Sequence, residues 1–306
     1  MIDILLATYN GERYLPSLSR SLRAQSFADF TVLCRDDGSR DGTAALLARL
    51  EREDKRFRIL YGSPSGSASG CFFALLRASD APYTMFCDQD DVWHADKVEK
   101  TLRAMKAAEA KYGTDTPLLV HTDLRVVDAV LREISPSLMD YQQLSPSEDS
   151  LSRLLCQSLV SGCTMMINEP LRRLVTEHLP ETCLMYDWWI SLAAAAFGRI
   201  VYLPEATIDY RQHDSNQVGA QNARSAAYVL QKLRSGSAGK ALAGTYAQAA
   251  AFAAAFGDIL PRQQSERIRG YAALPDMNKL QRIRSIRRMG TLKCGTLRRL
   301  GQYWFV

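Results

Sequence analysis

Residues 1–115 repeat one arrangement: an apolar run, a polar loop, and then a segment with apolar residues at helical spacing. The apolar runs are residues 2–6, 30–34, 57–61 and 83–87. Strands that alternate with helices predict a mainly parallel sheet, because parallel neighbours need a long crossover connection. The loops that follow such strands gather at one edge of the sheet, where ligands bind. We therefore expect an α/β fold with one site along this edge.

The run 83–87 ends in an acidic cluster that contains Asp88, Asp90 and Asp91. Carboxylates this close repel one another unless a cation or a proton shares their charge. A hard divalent cation such as Mg²⁺ takes oxygen ligands and keeps positions open for substrate phosphates. An acidic helix start would produce a similar pattern through capping. Because an apolar strand precedes the cluster, we favour a metal and phosphate site, and we assign Asp91 to the cap of the next helix.

Two other polar loops should reach the same edge. The first strand is followed by Ala7, Thr8, Tyr9, Asn10, Gly11 and Glu12. Asp36 and Asp37 follow the second strand, in a loop whose composition is equally typical of a tight turn. A carboxylate at a strand end can also accept the N3 proton of a uracil or thymine ring. Neither loop contains a dinucleotide-binding or P-loop pattern.

The second half of the chain adds three candidate residues and one that we leave out of the site. Asp187 opens a helical pattern beside Trp188 and Trp189, so it is either a helix cap or an orienting base with the indoles as platforms for a sugar. Arg211 and His213 lie two apart in an extended segment and share a face, which suits a diphosphate clamp or a third metal ligand. We interpret His121 as a structural histidine.

The net charge of +5 is unevenly distributed. Residues 277–306 contain eight Lys and Arg and no acidic residue, so the rest of the chain sums to about −3. Apolar residues interleave with these cations, which predicts either an amphipathic segment on an anionic membrane surface or a helix packed on the catalytic domain. The seven cysteines show no zinc or disulfide spacing, which favours a reducing cytoplasm. We expect no signal peptide and no membrane span.

Taken in order, these motifs resemble family 2 of the nucleotide-sugar glycosyltransferases, which have the GT-A fold. The forms Asp88–Trp93 and Tyr210–His213, with Asn216, resemble the bacterial branch that builds surface polysaccharides and includes rhamnosyltransferases. The resemblance implies a GT-A catalytic domain over residues 1–220, with a nucleotide-sugar half over about 1–115 and an acceptor half over about 116–220. Residues 221–306 would form a helical, basic extension.

The resemblance also implies roles for individual residues. Asp37 would contact the pyrimidine base, Asp88 the ribose and the metal, and Asp90 the metal, which is Mg or Mn. Asp187 would be the catalytic base, with Arg211 on the diphosphate and His213 on the diphosphate or the metal. The loop after the first strand would hold the donor through Ala7, Thr8, Tyr9, Asn10 and Glu12. Two positions depart from the pattern: Cys71 replaces a common Asn, and Tyr186 replaces a common His or Glu.

The resulting expectation is an inverting transferase that moves a sugar from dTDP-rhamnose or a UDP-hexose to a glycan or lipid-linked acceptor in O-antigen or capsule synthesis. It would work in the cytoplasm, at the inner face of the cytoplasmic membrane. One alternative is a sugar nucleotidyltransferase, although the first loop has no lysine for a triphosphate. The other is a non-catalytic protein that binds a nucleotide sugar or a nucleic acid, although no DNA- or RNA-binding motif accompanies the basic tail.

Overall fold

The computed structural model describes residues 1–146, 149–213, 219–220 and 237–306. Two compact units divide the chain. The first comprises Met1–Leu138, Val160–Glu177 and Gly198–Gly219, and the second comprises Met139–Leu159, His178–Phe197 and Ala220–Val306. Asn216 of the last motif lies outside the described residues.

One mixed sheet runs through the first unit. Within the described ranges, its strands are β1 (Ile2–Thr8), β2 (Phe30–Asp36), β3 (Phe57–Ile59), β4 (Tyr83–Asp88), β5 (Val92–Trp93), β6 (Leu118–Val127), β7 (Glu133–Ser135), β8 (Met165–Asn168) and β9 (Arg199–Arg211). They pair in the order β3-β2-β1-β4-β8-β6-β9-β5, and β7 pairs with β6. Strands β1 to β4 are parallel, while β8 is antiparallel to both β4 and β6. Because β9 is parallel to β6, the sheet is mainly parallel, as predicted.

The register of β1 places three strand ends side by side. Thr8 lies opposite Asp36 of β2, and Ala7 lies opposite Asp88 of β4. Residues 2–6 of β1 are buried, because a central parallel strand is covered on both faces; four of them are apolar, and the Asp3 carboxylate accepts the Ser79 hydroxyl at 2.8 Å. The polar residues that follow β1, β2 and β4 therefore leave the sheet at the same edge.

Helices connect these strands. Those of the first unit are α1 (Leu15–Arg23), α2 (Thr43–Glu53), α3 (Ala68–Ala78), α4 (Lys97–Tyr112) and α7 (Glu169–Glu177). Those of the second unit are α6 (Leu151–Cys156), α8 (Tyr186–Phe197), α9 (Ser237–Phe256), α10 (Arg262–Ala272), α11 (Lys279–Met289) and α12 (Thr296–Phe305), and α5 (Leu138–Tyr141) lies at the boundary. Helices α1 to α4 alternate with strands β1 to β6, as the repeated pattern predicts.

Two strands of the second half are irregular. A 3-10 turn at Gly162–Thr164 leads directly into β8, which begins at Met165. The extended segment that contains Arg211 is the end of one long strand, β9. Irregular register against β6 between Thr122 and Arg125 lets β9 continue past Pro204, which lacks the N–H that a regular ladder requires.

An aromatic cluster lies inside the second unit. Trp189 of α8 is fully buried, and its ring lies 5.1 Å from Phe252 and 5.8 Å from Phe256 of α9. This packing joins residues 178–197 to the C-terminal helices within the second unit. Among the described residues, none of the helices combines the length and the apolar character needed to cross a bilayer.

Candidate active site

The loops after β1 and β2 are joined by their own side chains. Thr8 Oγ1 donates a hydrogen bond to Asp36 Oδ1 at 3.0 Å. Asn10, in the left-handed region with φ 50°, donates its N–H to Ser39 Oγ at 2.8 Å. Its Oδ1 accepts the Arg40 N–H at 2.9 Å. Polar residues that the sequence assigned to the donor therefore also hold one loop against the other.

Glu12 and Gln89 complete this bracing. Glu12 Oε2 accepts the N–H of Gly42, the residue that precedes α2, at 2.8 Å. Gln89 clamps the backbone of Tyr9, because its Oε1 accepts the Tyr9 N–H at 2.9 Å and its Nε2 donates to the Tyr9 carbonyl at 2.8 Å. A Cβ atom at Gly11 would collide with the end of this Gln89 side chain, which would have to give up its place against Tyr9. The aromatic ring of Tyr9 is left exposed.

Asp37 lies half-buried where the chain leaves β2. Its N–H donates to the Thr8 carbonyl at 2.8 Å, and its Oδ1 accepts the N–H of Ser65. Cys71, the first departure from the family pattern, is buried beneath this loop, and its thiol donates to the Arg35 carbonyl at 3.6 Å. Burial raises the pKa of Cys71 to about 12, so the thiol is neutral. The Cys71 side chain therefore points into the protein interior.

The acidic loop, residues 88–91, lies next to the end of β9. Asp90 Oδ2 lies 2.8 Å from His213 Nε2, and the His213 ring stacks on Tyr14 with centroids 4.6 Å apart. Arg211 is buried, and its guanidinium donates to the carbonyls of Asp90 at 2.9 Å and Ala129 at 2.8 Å. The guanidinium thus holds two loops in place, while the imidazole lies directly against a carboxylate of the cluster.

Asp91 does not cap α4, which corrects the sequence interpretation. That helix begins at Lys97 with Asp96 in the N-cap position, whereas Asp91 precedes β5 and is fully buried. Its Oδ1 accepts the Arg211 N–H at 3.3 Å, and its Oδ2 has no hydrogen-bond partner among the described residues. Burial, followed by repulsion from Asp90 and Asp88, raises the pKa of Asp91 well above its ordinary value. Asp91 is therefore the buried residue of the acidic loop.

A second polar network attaches β5 to β9. Asp209 lies opposite Val92 and accepts hydrogen bonds from Arg125 at 2.7 and 2.9 Å, while its Oδ1 lies 2.8 Å from His94 Nε2. Burial by itself would raise the pKa of Asp209, but the hydrogen bonds from His94 and Arg125 lower it to about 2. The ionised carboxylate therefore ties β9 to Arg125 and to His94, which follows β5.

The donor atoms of the acidic loop suit a hard cation. In the part of the chain that the structure describes, ligand atoms of Asp88, Asp91 and Cys163 lie within 4.8 Å of one another. Cys163 is the less suitable member for a hard cation, because thiolate sulfur is a soft ligand whereas Mg²⁺ and Mn²⁺ prefer carboxylate oxygen. The Asp88 and Asp91 carboxylates of this group offer the oxygen ligands that Mg²⁺ or Mn²⁺ prefers, and the half-buried Asp90 is the remaining carboxylate of the same loop.

Sequence reasoning missed Lys97, a fully buried cation near the acidic loop. Its Nζ lies 3.4 Å from Thr207 Oγ1 and 4.6 Å from the centroid of the Trp93 ring. Burial lowers the pKa of Lys97 to about 8, while the neighbouring Asp91 acts in the opposite direction. A signal was present, since Lys97, Thr101 and Met105 follow one helical stripe that is otherwise suited to the core.

Lys97 should make the stability of the fold depend on pH. Between pH 8 and 10.5 the unfolded chain retains the lysine proton and the folded chain releases it, so the free energy of unfolding rises with pH. Over the whole window the rise should be about 3 kcal/mol. Lys97→Met removes this pH dependence. In urea unfolding, the difference in free energy of unfolding between wild type and variant should therefore change by about 2 kcal/mol from pH 7.5 to pH 10, the part of the rise that falls below pH 10. Lys111→Met, at an exposed position of the same helix, should leave the pH dependence unchanged, and an unchanged dependence in Lys97→Met would contradict the assignment.

His121 has the structural role that the sequence interpretation gave it. It is buried in β6, and its ring lies 5.0 Å from that of Tyr202. Burial lowers the pKa of His121 to about 4, so the imidazole is neutral at physiological pH.

Asp187 belongs to the second unit, in the first turn of α8. Its half-buried carboxylate accepts the Trp188 N–H at 2.7 Å, and its carbonyl accepts the Ser191 hydroxyl at 2.7 Å. Trp188 Nε1 donates to the Leu154 carbonyl at 2.6 Å. The prediction that both indoles serve as platforms for a sugar is wrong for Trp189, because its ring is fully buried against Phe252. Tyr186, the second departure from the family pattern, is also buried.

Comparison with known proteins identifies the family. The family model described as Glycosyl transferase family 2 matches residues 3–118, which contain β1 to β5 and the acidic loop. TuaG of Bacillus subtilis (strain 168), a glycosyltransferase named for teichuronic acid biosynthesis, is 30% identical over 198 residues, or 64% of this chain and 73% of TuaG. The chain belongs to glycosyl transferase family 2. This family 2 glycosyltransferase is also 25% identical to the dTDP-rhamnosyl transferase RfbG of Shigella flexneri over 236 residues, or 73% of this chain and 76% of RfbG.

Solved structures share the fold of this glycosyltransferase. S. aureus TarS 1-349 in complex with UDP-GlcNAc matches 94% of this chain and 80% of its own, with a TM-score of 0.58 and 17% identity. The mannosyltransferase PcManGT from Pyrobaculum calidifontis, in complex with GDP-Man and Mn²⁺, matches 94% of this chain and 73% of its own, with a TM-score of 0.54 and 14% identity. The predicted GT-A fold is confirmed.

Proposed function

We propose that this glycosyltransferase moves a sugar from a nucleoside-diphosphate sugar, either dTDP-rhamnose or a UDP-hexose, to a glycan or lipid-linked acceptor. The product would belong to a cell-surface polysaccharide such as O-antigen or capsule. The observation that carries the proposal is the convergence of Asp37, Asp88 and Asp90 on loops at one edge of the sheet. The names of RfbG and TuaG, and the UDP-GlcNAc bound to TarS, support it.

The donor contacts fall to the loops after β1 and β2. Asp37 accepts the N3–H of the pyrimidine through the carboxylate that is half-exposed at the strand end. The side chains of Thr8, Asn10 and Glu12 are hydrogen-bonded within the protein, so they act by holding this loop in shape. Ala7 and the exposed ring of Tyr9 are the members free to touch the nucleotide.

Asp88, Asp90 and His213 would hold the metal. A bound Mg²⁺ or Mn²⁺ would supply Lewis-acid stabilisation of the charge that develops on the leaving diphosphate. Carboxylate oxygens suit either ion, and the Mn²⁺ in PcManGT is consistent with this choice. Arg211, whose guanidinium is committed to two carbonyl oxygens, acts on the diphosphate through the positive charge it brings to the acidic loop.

Transfer proceeds by a single in-line displacement with inversion. Asp187 accepts the proton of the acceptor hydroxyl as that oxygen attacks the anomeric carbon. The new carbon–oxygen bond forms while the bond to the diphosphate breaks, and the nucleoside diphosphate leaves with the electron pair. Asp187 lies in the first turn of α8, where the amide end of the helix stabilises the negative charge of a nearby group.

A lipid-linked acceptor accounts for the proposed location, the inner face of the cytoplasmic membrane. WfgD of Escherichia coli, which is 29% identical over 105 residues (34% of this chain and 41% of WfgD), is named as a glucosyltransferase acting on a diphosphoundecaprenol-linked sugar. Such an acceptor lies in the membrane with its sugar at the surface. An enzyme that uses it must reach that surface repeatedly.

A donor panel tests the proposal. The protein is incubated with UDP-, dTDP- and GDP-sugars, with Mg²⁺, with Mn²⁺ or with EDTA, and both the rise in Tm and the slow hydrolysis of donor are measured. We expect a pyrimidine donor to stabilise the protein in a metal-dependent manner. Asp37→Asn should weaken this stabilisation, whereas Asp80→Asn, a change at an exposed site, should not. A protein that no nucleotide sugar stabilises would contradict the proposed function.

A further inference from the structure

Helix α12 exposes apolar side chains on one face. Leu297, Leu300 and Trp304 follow one another at spacings of three and four residues, so they share a face of the helix. Their exposed fractions are 57%, 60% and 73%. An exposed row of large apolar side chains on one helix face is unusual for a surface that meets only water.

The opposite side of α12 attaches the helix to its own unit through polar contacts. Gln302 is buried, donates Nε2–H to the Thr291 carbonyl at 2.8 Å, and accepts the Lys293 N–H at 2.9 Å. Val306 is buried as well. This orientation is the reverse of an ordinary surface helix, in which the apolar side faces the core. The apolar face is therefore held outward by specific hydrogen bonds.

Helix α11 adds an apolar residue and cations to the same surface. Leu280 is 69% exposed, and its neighbour Lys279 donates from Nζ to the Trp304 carbonyl at 2.9 Å. Arg287 lies over the Tyr303 ring at 5.1 Å and is exposed, as are Arg284 and Arg288. Since residues 277–306 contain no acidic residue, every formal side-chain charge on this surface is positive.

We propose that Leu280, Leu297, Leu300 and Trp304, with the cations of α11, form a docking face for an anionic phospholipid surface. The apolar side chains enter the boundary between headgroups and acyl chains, with the tryptophan at headgroup level, and the arginines meet the lipid phosphates. A second copy of the chain fits less well, because it would bring one positive surface against another. A nucleic acid would meet the cations but leave the apolar face unused. This inference rests on the proposed function in one respect: contact with the membrane would give the enzyme access to a membrane-borne acceptor.

Sedimentation of the full chain with vesicles tests the docking face without donor or acceptor. One set of vesicles is pure phosphatidylcholine, and the other contains about 30 mol% phosphatidylglycerol. We expect binding to the anionic vesicles, weakened about tenfold or more in Leu297→Gln/Leu300→Gln/Trp304→Gln and reduced in Arg284→Gln/Arg287→Gln/Arg288→Gln. Val130→Gln/Ile134→Gln, which changes exposed apolar residues of the first unit, should bind like wild type. An unchanged Tm confirms that each variant is folded.

Two results would overturn the proposal. One is wild-type protein that stays in the supernatant with anionic vesicles, or a triple Gln variant of α12 that sediments as wild type does. The other is a fall in molar mass of the α12 variant in light scattering without lipid, because the face would then join two copies of the chain. Asp187→Asn should still bind vesicles, so failure of the lipid contact and failure of the proposed glycosyl transfer can be told apart.

Discussion

Asp187→Asn should lower the turnover of sugar transfer by roughly 10²- to 10⁴-fold, the range typical of a lost general base. The amide has the shape of the carboxylate and can still accept the Trp188 N–H that Asp187 Oδ1 binds at 2.7 Å, so the start of α8 should persist. What the amide cannot do is take a proton from the acceptor hydroxyl. Turnover is measured as nucleoside diphosphate released in the presence of acceptor, and donor affinity is measured separately by calorimetry.

The matched control for this prediction is Glu181→Gln, which removes a negative charge at an exposed position a few residues before α8. It should retain turnover within about twofold, as expected for a surface change. Donor affinity should remain close to wild type in both variants, because the first unit supplies the proposed nucleotide contacts. Full turnover in Asp187→Asn, or a loss of its donor affinity, would show that Asp187 is not the base.

Asp90→Asn should reduce turnover by about 10²-fold or more and raise the metal concentration needed for donor binding. The estimate follows from several kcal/mol of charge stabilisation by a catalytic metal, at about 1.4 kcal/mol for each factor of ten. The fold of the loop should survive, because Arg211 holds the Asp90 carbonyl, which the substitution retains. The measurement is a Mn²⁺ titration of donor binding, followed by turnover at saturating metal.

Asp96→Asn provides the control for the metal effect. This carboxylate is also near the acidic loop in sequence, but it pairs with Lys100 at 2.8 Å beside the first turn of α4. Its loss should leave the metal titration unchanged. A wild-type titration curve in Asp90→Asn, or full turnover of the wild-type enzyme in EDTA, would remove Asp90 from a metal site.

Local sequence was sufficient to predict most of the secondary structure of the first unit. The apolar runs become β1 to β4, and alternation with helices predicts their parallel pairing, because both features depend on neighbouring residues. Interpretation failed where long-range contacts overrule a local pattern. By its position in the sequence Asp91 resembles a helix cap, yet it is the buried residue of the acidic loop. Trp189 resembles a platform for a sugar, yet it packs on Phe252. Lys97 was missed because a single cation in an apolar stripe does not reveal what lies across the sheet.

The sequence by itself determined the order of strands and helices in residues 1–115, the acidic loop at the end of β4 and the basic character of residues 277–306. Periodicity and charge are properties of the chain alone, so they can be read from it directly. Only the tertiary structure decided that Asp90 lies against His213, that Lys97 is buried, and that Leu297, Leu300 and Trp304 face outward. Each of these depends on which side chain a distant segment covers, and burial by distant segments is set by packing.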